Sequence, residues 1–149
     1  MSDIKFRGRR VDNGEWVYGG LWISHANHCY IEDEKQLFWV KRDTVGQFTG
    51  LPDTKGKDMY VDDIVYSPYS KEFSIIKFGK YRDRKDSIIH WGFYSVRFLG
   101  KDADDDGMYD PHDCCGLFDI NDRVWCEVVG DIHQHTVCLG KIIKKEEMK

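Results

Sequence analysis

The sequence predicts an all-β protein in which short antiparallel strands form a small barrel or a sandwich. Runs of residues that favour strands recur at short intervals and are separated by turn residues, which is the pattern of small all-β domains. Trp, Tyr and Phe make up 14% of the chain, and these residues favour the pleated surface of a sheet. The 14 glycines fit a chain that reverses direction many times.

Each run that satisfies this pattern is a predicted strand. In chain order the predicted strands are residues 4–7, 15–23, 29–32, 37–40, 45–49, 64–67, 73–81, 87–99 and 124–129. Only the tail, residues 139–149, has the composition of a short C-terminal helix, and its apolar residues are too few to define a buried face.

The strand at residues 15–23 carries its aromatic side chains at a spacing of two. Trp16, Tyr18 and Trp22 therefore lie on one face of the strand, with Gly20 between them. Because this face is the more aromatic one, we expect it to face the core.

Residues 88–99 are apolar on both faces of the predicted strand. Such a pattern is typical of a central strand or of a strand at a subunit contact. The run before it, residues 73–78, is separated from it by a turn between Gly79 and Asp86, so the two runs together predict one long hairpin.

The segment at residues 44–65 holds two turn signals between apolar runs. In Asp53-Thr54-Lys55-Gly56 an Asp opens a type I turn and a Gly ends it, as such turns favour. A second reversal is predicted at Asp62-Asp63, where Asp62 must adopt left-handed backbone geometry, which Asp tolerates at modest cost.

This segment resembles the signature block of the YopX family of small phage and prophage proteins. The resemblance extends to Phe6-Arg7 near the start and, more weakly, to the late run from Glu127 to Ile132. This chain carries Asp62 where family members usually have Gly, and Asp131 where they usually have Asn. The resemblance implies a single YopX-like domain over residues 1–149 and a phage context, but it implies no activity and no site residues.

Composition narrows the class of protein further. A chain of 149 residues is long enough for one domain with its own core. The charged start MSDIKFRGRR and the lack of any long apolar run predict a cytoplasmic protein without membrane contact, in which the five cysteines are reduced thiols. The net charge of −4 argues against a surface that is basic throughout.

An acidic loop is the strongest chemical anomaly of the chain. Its carboxylates and Gly107 follow the spacing of a calcium-binding loop, with Asp102 at the first position and Asp113, rather than the usual Glu, at the twelfth. The candidate ligands are Asp102, Asp104, Asp106, Asp110 and Asp113. A divalent cation is therefore a candidate cofactor, and a solvated acidic loop that binds none is the alternative.

A zinc site has weaker support. His112, Cys114 and Cys115 are ligand types that zinc accepts, but adjacent cysteines point in different directions and the chain has no Cys-x-x-Cys pair. His133 and His135 would face one way on a strand. The alternative is that these are ordinary thiols and imidazoles.

The turn of the predicted hairpin interleaves basic and aromatic residues. Cations at such a projection can contact phosphates, and Tyr81 can stack on a base. The candidate nucleic-acid-binding residues are Lys77, Lys80, Tyr81, Arg82, Arg84 and Lys85. A charged turn that only keeps the protein soluble is the alternative.

No catalytic residue is predicted, because the sequence has no nucleophile elbow, phosphate-binding loop or dinucleotide fingerprint. The pairs His90 with Asp86 and His25 with His28 are too common in strands and turns to indicate catalysis. The predicted function is a non-catalytic phage accessory protein that binds nucleic acid or a phage or host protein. The alternatives are a metal-dependent enzyme that uses residues 102–113, and a self-assembling structural protein that forms homo-oligomers.

Overall fold

The computed structural model describes residues 4–98, 104–105, 107–118, 123–138 and 140–148. The chain divides into two compact units, Met1–Gly50 and Leu51–Lys149. The described residues form antiparallel strands and three short 3-10 turns, and they contain no α-helix. The all-β prediction is confirmed.

The first unit is one antiparallel sheet. Its strands are β1 (Phe6–Arg9), β2 (Trp16–Ile23), β3 (Cys29–Glu32), β4 (Leu37–Val40) and β5 (Gly46–Pro52), the last of which runs past the unit boundary. They lie in the order β4-β3-β2-β1-β5. The end of β4 returns to the end of β1 through the bridge between Arg10 and Val40, which curls the sheet but leaves it open.

The core of the first unit lies on the face of β2 opposite to the predicted one. Val17 and Leu21 pack against the buried residues of β3 and β4, whereas Trp22 is 59% exposed. Trp16 stacks instead beneath the Arg7 guanidinium, which lies 4.4 Å from its ring centroid. The prediction that the aromatic face is the core was wrong, because both faces of β2 are apolar and alternation alone does not choose between them.

The second unit contains the remaining strands. These are β6 (Asp58–Tyr60), β7 (Asp63–Ser67), β8 (Glu72–Arg82), β9 (Ile89–Arg97), β10 (Cys114–Gly116), β11 (Glu127–Asp131), β12 (His135–Cys138) and β13 (Lys141–Lys144). Five of them form a sheet in the order β10-β9-β8-β7-β11, and β12 pairs with β13. The sheets are open, so the barrel alternative does not hold.

Part of the five-stranded sheet is buried on both faces, which explains the two-sided apolar pattern in the second half of β9, whereas Ile89 and Trp91 in its first half are exposed. One face packs around Met59, Val65 and Ile76, and the other packs around Tyr94 and Val96. Residues 94–96 of β9 lie between β8 and β10, as expected for a central strand.

The tail differs from the predicted C-terminal helix. Residues 141–144 form β13, and Lys145–Met148 adds one 3-10 turn. A β-hairpin needs few apolar residues of its own because its backbone hydrogen bonds are satisfied by the partner strand.

The Asp53 turn joins two distant parts of the second unit. The Asp53 Oδ1 atom accepts hydrogen bonds from the backbone N–H groups of Lys55 and Lys57, both at 2.8 Å. Its Oδ2 atom accepts one from the N–H of Val128, in β11, at 2.8 Å. The carboxylate is buried, so three backbone donors depend on one side chain.

The second predicted reversal has the expected geometry. Asp62 has a φ of 74°, in the left-handed region that Asp tolerates. Its neighbour Asp63 is buried and accepts a hydrogen bond from the N–H of Tyr60 at 2.8 Å. The side chain of Asp63 therefore fixes the turn that its neighbour's backbone makes.

Four cysteines, Cys29, Cys114, Cys115 and Cys126, are buried free thiols. Burial raises the pKa of Cys114 to about 11 and that of Cys126 to about 12. The Cys126 Sγ atom lies 3.8 Å from Met59 Sδ, inside the core. All four thiols are buried packing residues, and Cys114 and Cys126 carry little thiolate near neutral pH.

We expect Asp53→Ala to lower the free energy of unfolding by about 2–4 kcal/mol, because it removes the acceptor of a buried N–H as well as that of two turn N–H groups. Asp53→Asn should lower the free energy of unfolding by less, because its one remaining side-chain oxygen still accepts hydrogen bonds. Urea denaturation measures both, with the exposed Glu34→Ala as the matched control. Equal stability of Asp53→Ala and the control would show that the turn does not depend on this carboxylate.

Folded protein should resist alkylation by iodoacetamide at Cys29, Cys114, Cys115 and Cys126, and all four should react in urea. Peptide mass spectrometry reads out each site. Because burial raises the pKa of Cys114, Cys115 and Cys126, the unfolded state loses these thiol protons before the folded state does, so the free energy of unfolding should also fall above about pH 9. Rapid labelling of Cys126 in the folded protein would contradict its burial.

Candidate nucleic-acid interface

Strands β8 and β9 form the long hairpin that the sequence predicts. They pair from Ser74 opposite Arg97 to Arg82 opposite Ile89. Gly79 and Gly92 lie opposite each other with φ values of 145° and 148°, a region that other residues rarely adopt. Because directly opposed residues of antiparallel strands share a face, the register assigns each side chain of the hairpin to one of two faces.

Nearer the turn, past the residues that pack in the core, one face of the hairpin is exposed to solvent. Phe78 lies opposite Phe93, Lys80 opposite Trp91, and Arg82 opposite Ile89. We call Phe78, Lys80, Arg82, Ile89 and Trp91 the hairpin face. Trp91 is 76% exposed and Phe78 is 57% exposed, so two aromatic rings and two cations are accessible on one surface.

Tyr81 lies on the other face and is only 8% exposed. Its ring stacks on Tyr94 at a centroid distance of 4.5 Å and on His90 at 5.3 Å. Burial, and then the charge of Asp83, raise the pKa of its hydroxyl. The expectation that Tyr81 stacks on a base does not fit this packing, because its ring already belongs to the core.

The predicted cations divide into two groups. Lys80 and Arg82 lie on the hairpin face, and Arg82 Nη1 donates a hydrogen bond to the backbone oxygen of Ser87 at 3.2 Å. The other three are held elsewhere. Lys77 pairs with Asp62 at 3.0 Å, Arg84 lies 3.8 Å from Glu72, and Lys85 Nζ donates to the backbone oxygen of Phe118 at 3.0 Å.

Two aspartates fix the end of the hairpin. Asp83 accepts hydrogen bonds from the N–H of Lys85 at 2.8 Å and from that of Gly116 at 2.9 Å, which ties the turn to β10. Asp86 accepts one from the N–H of Ile88, and it pairs with His90 Nε2 at 3.0 Å. These contacts, the Ile88 hydrogen bond first, lower the pKa of Asp86. Asp86 and His90 therefore stabilise the turn.

The acidic loop is only partly described. Asp102 and Asp106 lie outside the described residues. Asp104 Oδ1 accepts a hydrogen bond from the N–H of Met108 at 2.9 Å, and Asp110 Oδ1 accepts one from that of His112 at 2.9 Å. Asp113 Oδ1 lies 3.8 Å from Arg97 Nε.

The described part of the chain brings together no group of three His, Cys, Asp or Glu side chains able to hold a metal ion. The expected arrangement of His133 and His135 on one strand was wrong. His133 lies in the turn before β12, and only His135 belongs to that strand. Cys114 and Cys115 are in β10, where they pack as buried thiols.

Sequence reasoning found the hairpin but missed its principal aromatic residues. Trp91 and Phe78 were visible as apolar residues of two predicted strands. Their exposure depends on the register, which opposes Trp91 to Lys80, and on β10 pairing only with residues 94–96 of β9. The sequence places the turn between Gly79 and Asp86. A turn placed after Arg82 instead would have predicted the observed register.

The comparisons with known proteins agree with the resemblance seen in the sequence. No helix among the described residues is long and apolar enough to cross a membrane. The chain matches no curated protein at a significant level. The family model described as YopX protein matches residues 5–139, which is most of the chain. This protein therefore belongs to the YopX family.

Proposed function

We propose that this protein is a non-catalytic accessory protein of phage or prophage origin that binds single-stranded nucleic acid through the hairpin face. The phage context rests on the family to which the chain belongs. The cytoplasm is the proposed compartment, since buried free thiols suit a reducing environment.

The observation that carries the proposal is that Lys80 lies directly opposite Trp91 in the strand register, on an exposed surface. A protein that holds a single strand without reading its sequence needs rings on which bases stack and cations near the phosphates. Trp91 and Phe78 supply the rings, and Lys80 and Arg82 supply the cations. Stacking on these rings needs bases whose faces are exposed, so a single strand is the favoured form.

The net charge of −4 does not oppose this proposal. Coulomb interactions at physiological salt are screened over about 8 Å, so the local charge of the hairpin face matters more than the sum over the chain. Two phosphate contacts give only weak binding by themselves, and most of the affinity must come from stacking.

Self-association is the second candidate function. Ile88, Ile89 and Trp91 are exposed at the start of β9, in a part of the hairpin with which β10 does not pair. An apolar strand of this kind can bind a second copy of the chain or a phage or host protein. Ile89 and Trp91 also belong to the hairpin face, so one set of variants tests both functions.

We expect Trp91→Ala to raise the dissociation constant for a labelled single-stranded oligonucleotide about tenfold, because one stacking partner is lost. Lys80→Ala and Arg82→Ala should each reduce the slope of log affinity against log salt by about 0.7. Fluorescence anisotropy with DNA and RNA oligonucleotides, single-stranded and duplex, gives both quantities.

Trp39→Ala and Lys35→Ala are the matched controls, since both residues are exposed and belong to the first unit. Equal losses of oligonucleotide affinity in the control variants would show that the binding surface lies elsewhere. If no oligonucleotide binds at low salt, light scattering decides the alternative. A dimer that Trp91→Ala converts to a monomer would support self-association, and a stable monomer would leave a phage or host protein, sought by pull-down from infected cells.

A metal-dependent enzyme that uses residues 102–113 is the remaining alternative. If the protein is a non-catalytic binding module, calcium and manganese should leave its melting temperature unchanged, and protein purified without chelators should carry no stoichiometric metal. The double variant Asp104→Ala, Asp106→Ala is the control. A metal-dependent rise in melting temperature that this variant loses would favour the enzyme.

A further inference from the structure

An open cleft of about 440 Å³ lies in the second unit, and none of its lining residues belongs to the β8–β9 hairpin. It is bounded by the Asp53 turn, the turn between β7 and β8, and the segment that leads into β11. Its polar and aromatic lining consists of Thr54, Lys55, Tyr69, Arg123, Trp125 and Glu127. Its volume falls in the range that small organic ligands occupy in proteins.

Two sides of the cleft are held by contacts to neighbouring segments and the core. The N–H of Thr54 donates to the backbone oxygen of Cys126 at 3.1 Å, which joins the Asp53 turn to the segment before β11. Trp125 Nε1 donates to the backbone oxygen of Gly116 at 2.8 Å, and its ring packs against the core. Two sides of the cleft are therefore fixed before any ligand arrives.

The third side carries an exposed aromatic ring. Tyr69 is 84% exposed and sits in a turn closed by the hydrogen bond from the N–H of Lys71 to the backbone oxygen of Ser67, at 2.8 Å. A large ring held at the mouth of a cleft by an ordered turn provides a flat surface on which a planar ligand can stack.

The charges of the lining point to one class of ligand. Lys55 and Arg123 place two cations at the cleft, and Glu127 places one carboxylate there. The cations attract a phosphate, and the Arg guanidinium is well suited to contact two phosphate oxygens. The carboxylate accepts hydrogen bonds from an amino group. A ligand that combines a planar ring, an amino group and a phosphate satisfies all three.

We propose that this cleft binds a free nucleoside monophosphate that carries an exocyclic amino group. The base stacks on Tyr69, the phosphate contacts Lys55 and Arg123, and Glu127 accepts a hydrogen bond from the amino group. The site shares no residue with the hairpin face, so it does not depend on the proposed function of that surface.

Ligand-observed NMR and calorimetry with AMP, adenosine, inorganic phosphate and UMP test the site. AMP should bind with saturation and more tightly than adenosine, phosphate or UMP. Tyr69→Ala should raise the AMP dissociation constant about tenfold, whereas Tyr69→Phe should leave it nearly unchanged because it retains the ring. Lys55→Ala should remove the advantage of AMP over adenosine, and Glu127→Gln should reduce that of AMP over UMP.

Trp91→Ala serves as the matched control, since it alters the hairpin face and should leave AMP binding intact. Conversely, Tyr69→Ala should leave oligonucleotide binding intact, so failure at one surface is distinguishable from failure at the other. No saturable AMP binding at millimolar concentration would overturn the proposal. So would AMP affinity that is unaffected by Tyr69→Ala, or binding confined to oligonucleotides with a 5′-phosphate.

Discussion

The buried carboxylate of Asp53 is the contact on which the second unit depends most. One oxygen organises the turn after β5, and the other holds the N–H of Val128, which lies 75 residues later in the chain. A buried carboxylate would be costly without donors, and a buried N–H would be costly without an acceptor. The pairing removes both costs together and fixes β11 relative to the turn.

The same device recurs along the chain. Asp63 accepts from the N–H of Tyr60, Asp83 from those of Lys85 and Gly116, and Asp131 from those of His133 and Gln134. These three aspartates are buried, as Asp53 is. Short strands bury few apolar residues each. Turns that side-chain acceptors tie to neighbouring strands therefore contribute a large part of the specificity of the fold.

These anchored turns also position the two surfaces proposed to bind ligands. Asp83 ties the end of the hairpin to β10, which leaves Trp91 and Lys80 on a surface supported from behind by the stack of Tyr81 on Tyr94. Asp53 and the N–H of Thr54 hold one side of the cleft. Binding surfaces on rigid supports lose less conformational entropy when a ligand binds.

The sequence by itself determined the strand content, most of the strand positions and the turns at Asp53 and Asp62, because alternation and turn chemistry are local properties. It also located the basic hairpin. Only the tertiary structure decided which face of each strand is buried. Trp22 and Trp91 are exposed while Tyr81 is covered, although all three occupy similar patterns. The physical reason is that a strand apolar on both faces has two nearly equivalent ways to pack, and the choice depends on distant partners such as β10.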